Sequence, residues 1–182
     1  MSRVGVGVRW AALLALSAGF GAVDAWCYRQ GGLVGAGWLH WAANVAAVWL
    51  LLAFVCGWVA GSRLGAVCAG LVGTWLALWV FYRVTGETNW QVVGKWVELG
   101  LFSGPVCGWL GHRWARHRSA AAVFAMASAF VLEPVGWRLW MGFLPGYTYP
   151  VFGTEVLIGV AVIALVLGRA GSRRADAARQ GR

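Results

Sequence analysis

Four acidic residues lie in apolar stretches of the chain, where a carboxyl group has few partners for its charge. They are Asp24, Glu98, Glu133 and Glu155, and the whole chain has six acids among 182 residues. Charged groups inside a membrane are costly, so they usually face the interior of a bundle or a wet cavity. Such carboxyl groups suit a cationic or hydrogen-bonding solute, or protons. If the four lie close together they repel, and at least one should hold its proton near neutral pH.

The sequence does not contain the residue patterns that catalysis or metal binding would need. The sequence has no nucleophile elbow, zinc-protease helix or phosphate-binding loop. His40 is predicted near the outer face, whereas His112 and His117 fall in a basic cytoplasmic loop. The cysteines lack metal-ligand spacing and are expected to be small buried hydrophobes; they are Cys27, Cys56, Cys68 and Cys107. We therefore expect no enzymatic activity, no metal site and no other cofactor.

The elements that must position these carboxyl groups are transmembrane helices. The chain is 60% hydrophobic and 12% charged, whereas soluble proteins carry about 25% charged residues. A helix needs about 20 apolar residues to cross a bilayer. Six stretches approach this length and predict an all-α bundle, in one domain over 1–168 with a basic tail over 169–182: 10–27, 41–60, 64–83, 93–112, 119–138 and 150–168. The first stretch also resembles a signal peptide that ends near Ala25, and we interpret it as a retained helix.

The basic residues give the orientation. Four of them fall on one side of the six predicted spans: Arg29, Arg83, Lys95 and Arg138. The other eleven fall on the opposite side: Arg3, Arg9, Arg63, Arg113, Arg116, Arg118, Arg169, Arg173, Arg174, Arg179 and Arg182. By the positive-inside rule both termini are cytoplasmic, in a cell membrane. The net charge of +9 is explained by this asymmetry and does not indicate nucleic-acid binding.

The four acids are predicted to share one depth. The depth of each acid follows from the number of residues between it and the cytoplasmic arginine of its own span. The separations are 15 residues for Asp24–Arg9, Glu98–Arg113 and Glu133–Arg118, and 14 residues for Glu155–Arg169. At 1.5 Å per residue all four lie about 21–23 Å above the arginines, in the outer third of the membrane.

Basic and amide groups follow slightly further out. Arg83, Lys95 and Asn44 lie 18–20 residues from their cytoplasmic arginines, near the outer boundary. Lys95 and Glu98 are three residues apart and can pair on one helix face. Pro134 removes a helical hydrogen bond beside Glu133 and frees a carbonyl group. The alternative to a pocket is ordinary interfacial chemistry, in which the acids pair with nearby basic residues or reach water.

Two short patterns concern packing. The segment 55–58, Val-Cys-Gly-Trp, recurs at 106–109 and suggests a parallel repeat of the second and third spans in the fourth and fifth. Glycines recur every four residues at Gly57, Gly61 and Gly65, and again at Gly104 and Gly108. This spacing lets helix backbones approach closely in lipid, and we expect it to serve packing inside the bundle rather than an oligomer interface.

Several of these residues together resemble a family of six-helix membrane proteins of unknown function, found mainly in actinobacteria. The pattern is Asn44, Trp49 and Gly57, then Gly104-Pro105, Gly108 and Gly111 before the basic loop, then Glu133 and Glu155-x-x-x-Gly159. This resemblance covers most of the chain and implies the architecture alone. A looser, architectural resemblance is to the substrate-binding subunits of energy-coupling-factor transporters, whose first helix carries spaced alanines, here Ala11, Ala15, Ala18 and Ala22.

The leading hypothesis is a protein that binds or transports a small cationic or hydrogen-bonding solute. The four acids would line the site, with Asn44 at its outer edge and Arg83 and Lys95 balancing the charge, while aromatic residues such as Trp96 and Tyr147 would cover it. Its partners would be the lipid bilayer, the solute and, in the alternative hypothesis, a larger membrane complex. In that alternative the chain is an accessory or scaffold subunit that packs through its glycine-rich helices.

Overall fold

The computed structural model describes residues 3–30, 37–43, 45–141 and 148–180, and no strand occurs among them. Side chains are described in these ranges except at 3, 4, 41, 140, 141 and 169–180. The helices are α1 (Arg3–Gln30), α2 (Gly37–Ala42), α3 (Ala46–Val59), α4 (Arg63–Thr85), α5 (Trp90–His117), α6 (Ala120–Met141) and α7 (Tyr149–Gln180). The all-α prediction is therefore confirmed for the described part of the chain.

Four stretches of helix are long and apolar enough to cross a membrane: Gly5–Gln30, Arg63–Thr85, Ala120–Leu139 and Tyr149–Gly168. The chain is thus a membrane protein with several spanning helices. Of the other two predicted spans, 41–60 contains the end of α2 and all of α3, and 93–112 lies within α5. However, α3 has 14 residues, and the 28 residues of α5 include Lys95 and Glu98. Six spans, their orientation and the internal repeat stay predictions.

The helices form two compact units, Met1–Arg118 and Ser119–Arg182, and each is described by itself. One domain over 1–168 stays a prediction. The last predicted helix ends at residue 168, whereas α7 continues into the basic tail as far as Gln180. In the first unit α4 packs against α1, α3 and α5, and α3 also packs against α5. The second unit is the hairpin of α6 and α7.

The helices of the first unit meet backbone to backbone at their glycines. A side chain at Gly57 of α3 would strike the backbone of Gly108 in α5. A side chain at Gly70 of α4 would strike the carbonyl oxygen of Gly104. Gly57, Gly104 and Gly108 therefore serve packing inside the unit, as the spacing predicts. Gly61, by contrast, lies between α3 and α4 with a φ of 81° and ends the glycine pattern in a turn.

The connection between α4 and α5 is held by local hydrogen bonds. Gly86 ends α4 in a left-handed conformation, with φ at 73°, and its N–H donates to the Tyr82 carbonyl. The Asn89 side chain begins α5 by accepting from the Gln91 N–H at 3.1 Å. The Glu87 carboxylate accepts from the Asn89 N–H at 2.7 Å. These caps satisfy backbone groups that the helix ends would otherwise leave unpaired.

Substitution of Gly108 by Ala should destabilise the first unit, because the added methyl group would strike the Ala66 carbonyl oxygen in α4. Gly19→Ala is the matched control, since open space surrounds Gly19 in α1. We expect Gly108→Ala to lower the free energy of unfolding by about 1–3 kcal/mol. The control should leave it unchanged or raise it by up to about 1 kcal/mol.

Unfolding in mixed micelles, followed by circular dichroism, measures this difference. Equal stability of the two variants would show that Gly108 of α5 does not lie against the Ala66 carbonyl oxygen of α4.

Candidate functional site

The second unit brings two of the predicted acids together. Glu155 of α7 is 4% exposed, although it is a carboxyl group in an apolar helix. Its side chain lies within hydrogen-bonding reach of the Glu133 carboxyl group in α6. Neither carboxyl oxygen of Glu155 receives a hydrogen bond from an N–H or O–H donor among the described residues. Two carboxyl groups in contact therefore form the centre of the hairpin's polar site.

Glu133 is positioned by its own helix. The indole Nε1 of Trp137, one turn further along α6, donates to Glu133 Oε1 at 3.0 Å. Pro134 lies inside the same turn and cannot donate a helical hydrogen bond. Trp137 is not among the residues that the sequence predicts for the site. The spacing of four residues from Glu133 was the signal that could have found it, because side chains four apart meet on one helix face.

Close packing at Gly159, one turn further along α7, holds α6 and α7 near each other. A side chain at Gly159 of α7 would lie 2.8 Å from the Ala127 carbonyl oxygen and 3.0 Å from the Phe130 Cβ. Gly159 is four residues from Glu155 and therefore on the same face of α7. The small residue allows α7 to approach α6, and the approach carries the Glu155 side chain to Glu133.

Asp24 occupies a different environment, in the first unit. Its carboxyl group lies beside the Trp49 indole of α3, whose Nε1–H donates to the Ala43 carbonyl oxygen at 3.4 Å, and the Asp24 Oδ2 is buried without a partner among the described residues. The Trp49 ring packs edge-to-face on Phe20, with ring centroids 5.0 Å apart, and on Phe81, at 5.8 Å. Asp24 therefore lies against an aromatic cluster from α1, α3 and α4. Its predicted depth along the helix did not indicate these neighbours.

The remaining predicted site residues are dispersed. Glu98 and Lys95 are exposed on α5, and α5 does not contact α1, the helix that carries Asp24. Arg83 is exposed and its guanidinium stacks over the Trp79 ring, 5.9 Å from the centroid. Asn44 and Tyr147 lie outside the described residues. Within the described helices, contact between carboxyl groups is observed for Glu133 and Glu155, and a four-residue pocket stays a prediction.

Metal coordination is not indicated by these positions. No cluster of three or more potential His, Cys, Asp or Glu ligands occurs among the described residues. Cys56 and Cys107 are buried, as expected of small apolar residues, but Cys68 is exposed on α4.

Comparison of the chain with protein-family models, with characterised proteins and with solved structures finds no match. Both resemblances stated from the sequence therefore stay predictions. For the second, Ala11, Ala15 and Ala22 are exposed on α1, whereas Ala18 is half-buried.

Replacement of Glu155 by Gln should preserve the hairpin, because the amide can donate a hydrogen bond to Glu133 and replace a shared proton. We expect the free energy of unfolding to stay within about 1 kcal/mol of the wild type. Glu155→Ala should lower it by about 1–3 kcal/mol, since Glu133 loses its partner and a cavity forms.

Unfolding of the full chain in mixed micelles measures both variants, with the exposed Glu98→Gln as the control. Suppose that Glu155→Gln lowers the free energy of unfolding as much as Glu155→Ala does. Glu155 would then have to be ionised and bound to a hydrogen-bond donor other than Glu133, which would contradict a shared proton.

Proposed function

We propose that this membrane protein binds or transports a small cationic or hydrogen-bonding solute at the Glu133–Glu155 pair. The observation that carries the proposal is Glu155, which is 4% exposed, lacks a donor among the described residues and faces a second carboxyl group. Two carboxylates held in contact repel each other, so a proton or a cation must lie between them. The site is thus suited to take up and release a positive group.

The apolar surroundings strengthen this interpretation. A buried charge that is left unpaired costs about 3–5 kcal/mol, so an ionised pair without a bound positive group would destabilise the hairpin. The sequence contains none of the catalytic motifs that would place a nucleophile and a base together, and we propose a non-catalytic role. The proposed location is the cell membrane, with both termini in the cytoplasm and the pair in the outer half, as residue counting predicts.

The alternative role, an accessory subunit of a larger complex, was based on the glycine-rich helices. In the structure Gly57, Gly104 and Gly108 pack inside the first unit. A bulky residue at these positions would disturb the fold before it could disturb a partner. The glycines therefore do not favour the accessory role over solute binding.

The test is native mass spectrometry of the protein extracted gently from its own host membrane. We expect a small-molecule adduct on the wild type, reduced at least about tenfold in Glu155→Gln and Glu133→Gln, since a charge-assisted contact is lost. Asp24→Asn and Glu98→Gln test the wider prediction of a four-residue site, because the adduct should be lost in them as well if all four line it.

A proton as the solute would leave no adduct, and is detected by proton uptake into proteoliposomes with a pH-sensitive dye. Absence of both signals from the folded wild type, together with a stably bound partner protein, would contradict the proposal and favour the accessory role.

A further inference from the structure

A second candidate site lies in the first unit, independent of the carboxyl pair. It is a groove of about 520 Å³ between the end of α4, the connecting residues 86–89 and the start of α5. We call it the α4–α5 groove. Its volume is within the range of about 300–1,000 Å³ that is typical of ligand sites. The sequence predicts Arg83 near this level and gives no sign of a groove.

The groove is amphipathic along its length. Arg83, Glu87 and Thr88 line the end next to the connection, whereas Trp75, Leu78 and Val97 line the other end. Trp75 precedes Arg83 by eight residues on α4, so the polar and apolar ends are about 12 Å apart along the helix. This gradient matches a molecule with a charged headgroup and a hydrocarbon chain.

The polar end carries two opposite charges, and each has its own partner. The Arg83 guanidinium stacks over the Trp79 ring, 5.9 Å from its centroid. The Glu87 carboxylate is held by the backbone N–H of Asn89 at 2.7 Å. A separated guanidinium and carboxylate are complementary to a headgroup that carries both a phosphate and an ammonium group.

The walls of the groove are suited to the membrane interface. Trp79 and Trp90 are 61% and 74% exposed, and indole rings favour the headgroup level, where the ring is apolar and the N–H is hydrated. The predicted topology places this end of α4 at the outer boundary of the bilayer. A phospholipid can therefore enter the groove sideways from the outer leaflet.

We propose that the α4–α5 groove binds a phosphatidylethanolamine-type lipid, with its phosphate on Arg83, its ammonium on Glu87 and an acyl chain along Trp75 and Val97. The site differs from an annular lipid contact because it selects both headgroup charges. It also requires none of the residues of the carboxyl pair.

The experiment is native mass spectrometry of the full chain released from nanodiscs of equal phosphatidylethanolamine and phosphatidylglycerol. The wild type should retain phosphatidylethanolamine about fivefold over phosphatidylglycerol, the change expected for one well-placed charge near the membrane surface. Arg83→Gln should reduce retention of both lipids about fivefold. Glu87→Gln should keep retention but abolish the preference, since phosphatidylglycerol lacks the ammonium group.

Lys95→Gln is the matched control, because it removes a basic charge from the exposed start of α5 outside the groove and should change nothing. Val97→Trp fills the apolar end without changing a charge and should reduce retention of both lipids. Equal retention of the two lipids by the wild type, a preference that survives in Glu87→Gln, or undiminished retention of both lipids in Arg83→Gln would overturn the proposal. Preferential retention of phosphatidylglycerol would also overturn it and would indicate a simple cationic patch.

Discussion

The close approach of helix backbones at glycine residues is the interaction on which the first unit depends. Lipid tails are as apolar as the side chains they surround, so burial of apolar area contributes little to helix association in a bilayer. Dispersion contacts between backbones must contribute instead, and these need small residues at the crossing. Gly57, Gly70 and Gly108 provide them where α3, α4 and α5 meet. The positions of Trp49 and Trp96 against the core follow from this packing.

The same constraint acts in the second unit with a different consequence. Gly159 lets α7 approach α6 closely, and the approach brings Glu155 against Glu133. In water two carboxyl groups at this distance would separate or be screened. Between apolar helices they must share a positive group or lose the contact. Because close packing of α6 and α7 brings the two carboxyl groups together, the hairpin needs a bound proton or cation. This need is the physical basis of the proposed function.

The two proposed sites differ in their chemistry. The carboxyl pair is buried and has a single sign of charge, which suits a positive group removed from water. The α4–α5 groove carries both signs of charge at its mouth and apolar walls below, which suits an amphiphile that stays partly in the lipid phase. Each arrangement follows from where its residues lie on their helices, since a polar group is tolerated at a helix end but needs a partner within a span.

The sequence by itself determined that the protein is an all-α membrane protein and where most of its long helices lie. Runs of apolar residues and the scarcity of charge decide these, because a backbone in lipid must satisfy its own hydrogen bonds as helix. It also predicted that Gly57, Gly104 and Gly108 pack inside the bundle. Tertiary structure alone decided which acids meet, because counting residues gives height along a helix and leaves rotation about its axis open. Glu133 and Glu155 face each other, Asp24 turns to Trp49, and Glu98 is exposed, although all four were predicted at one depth.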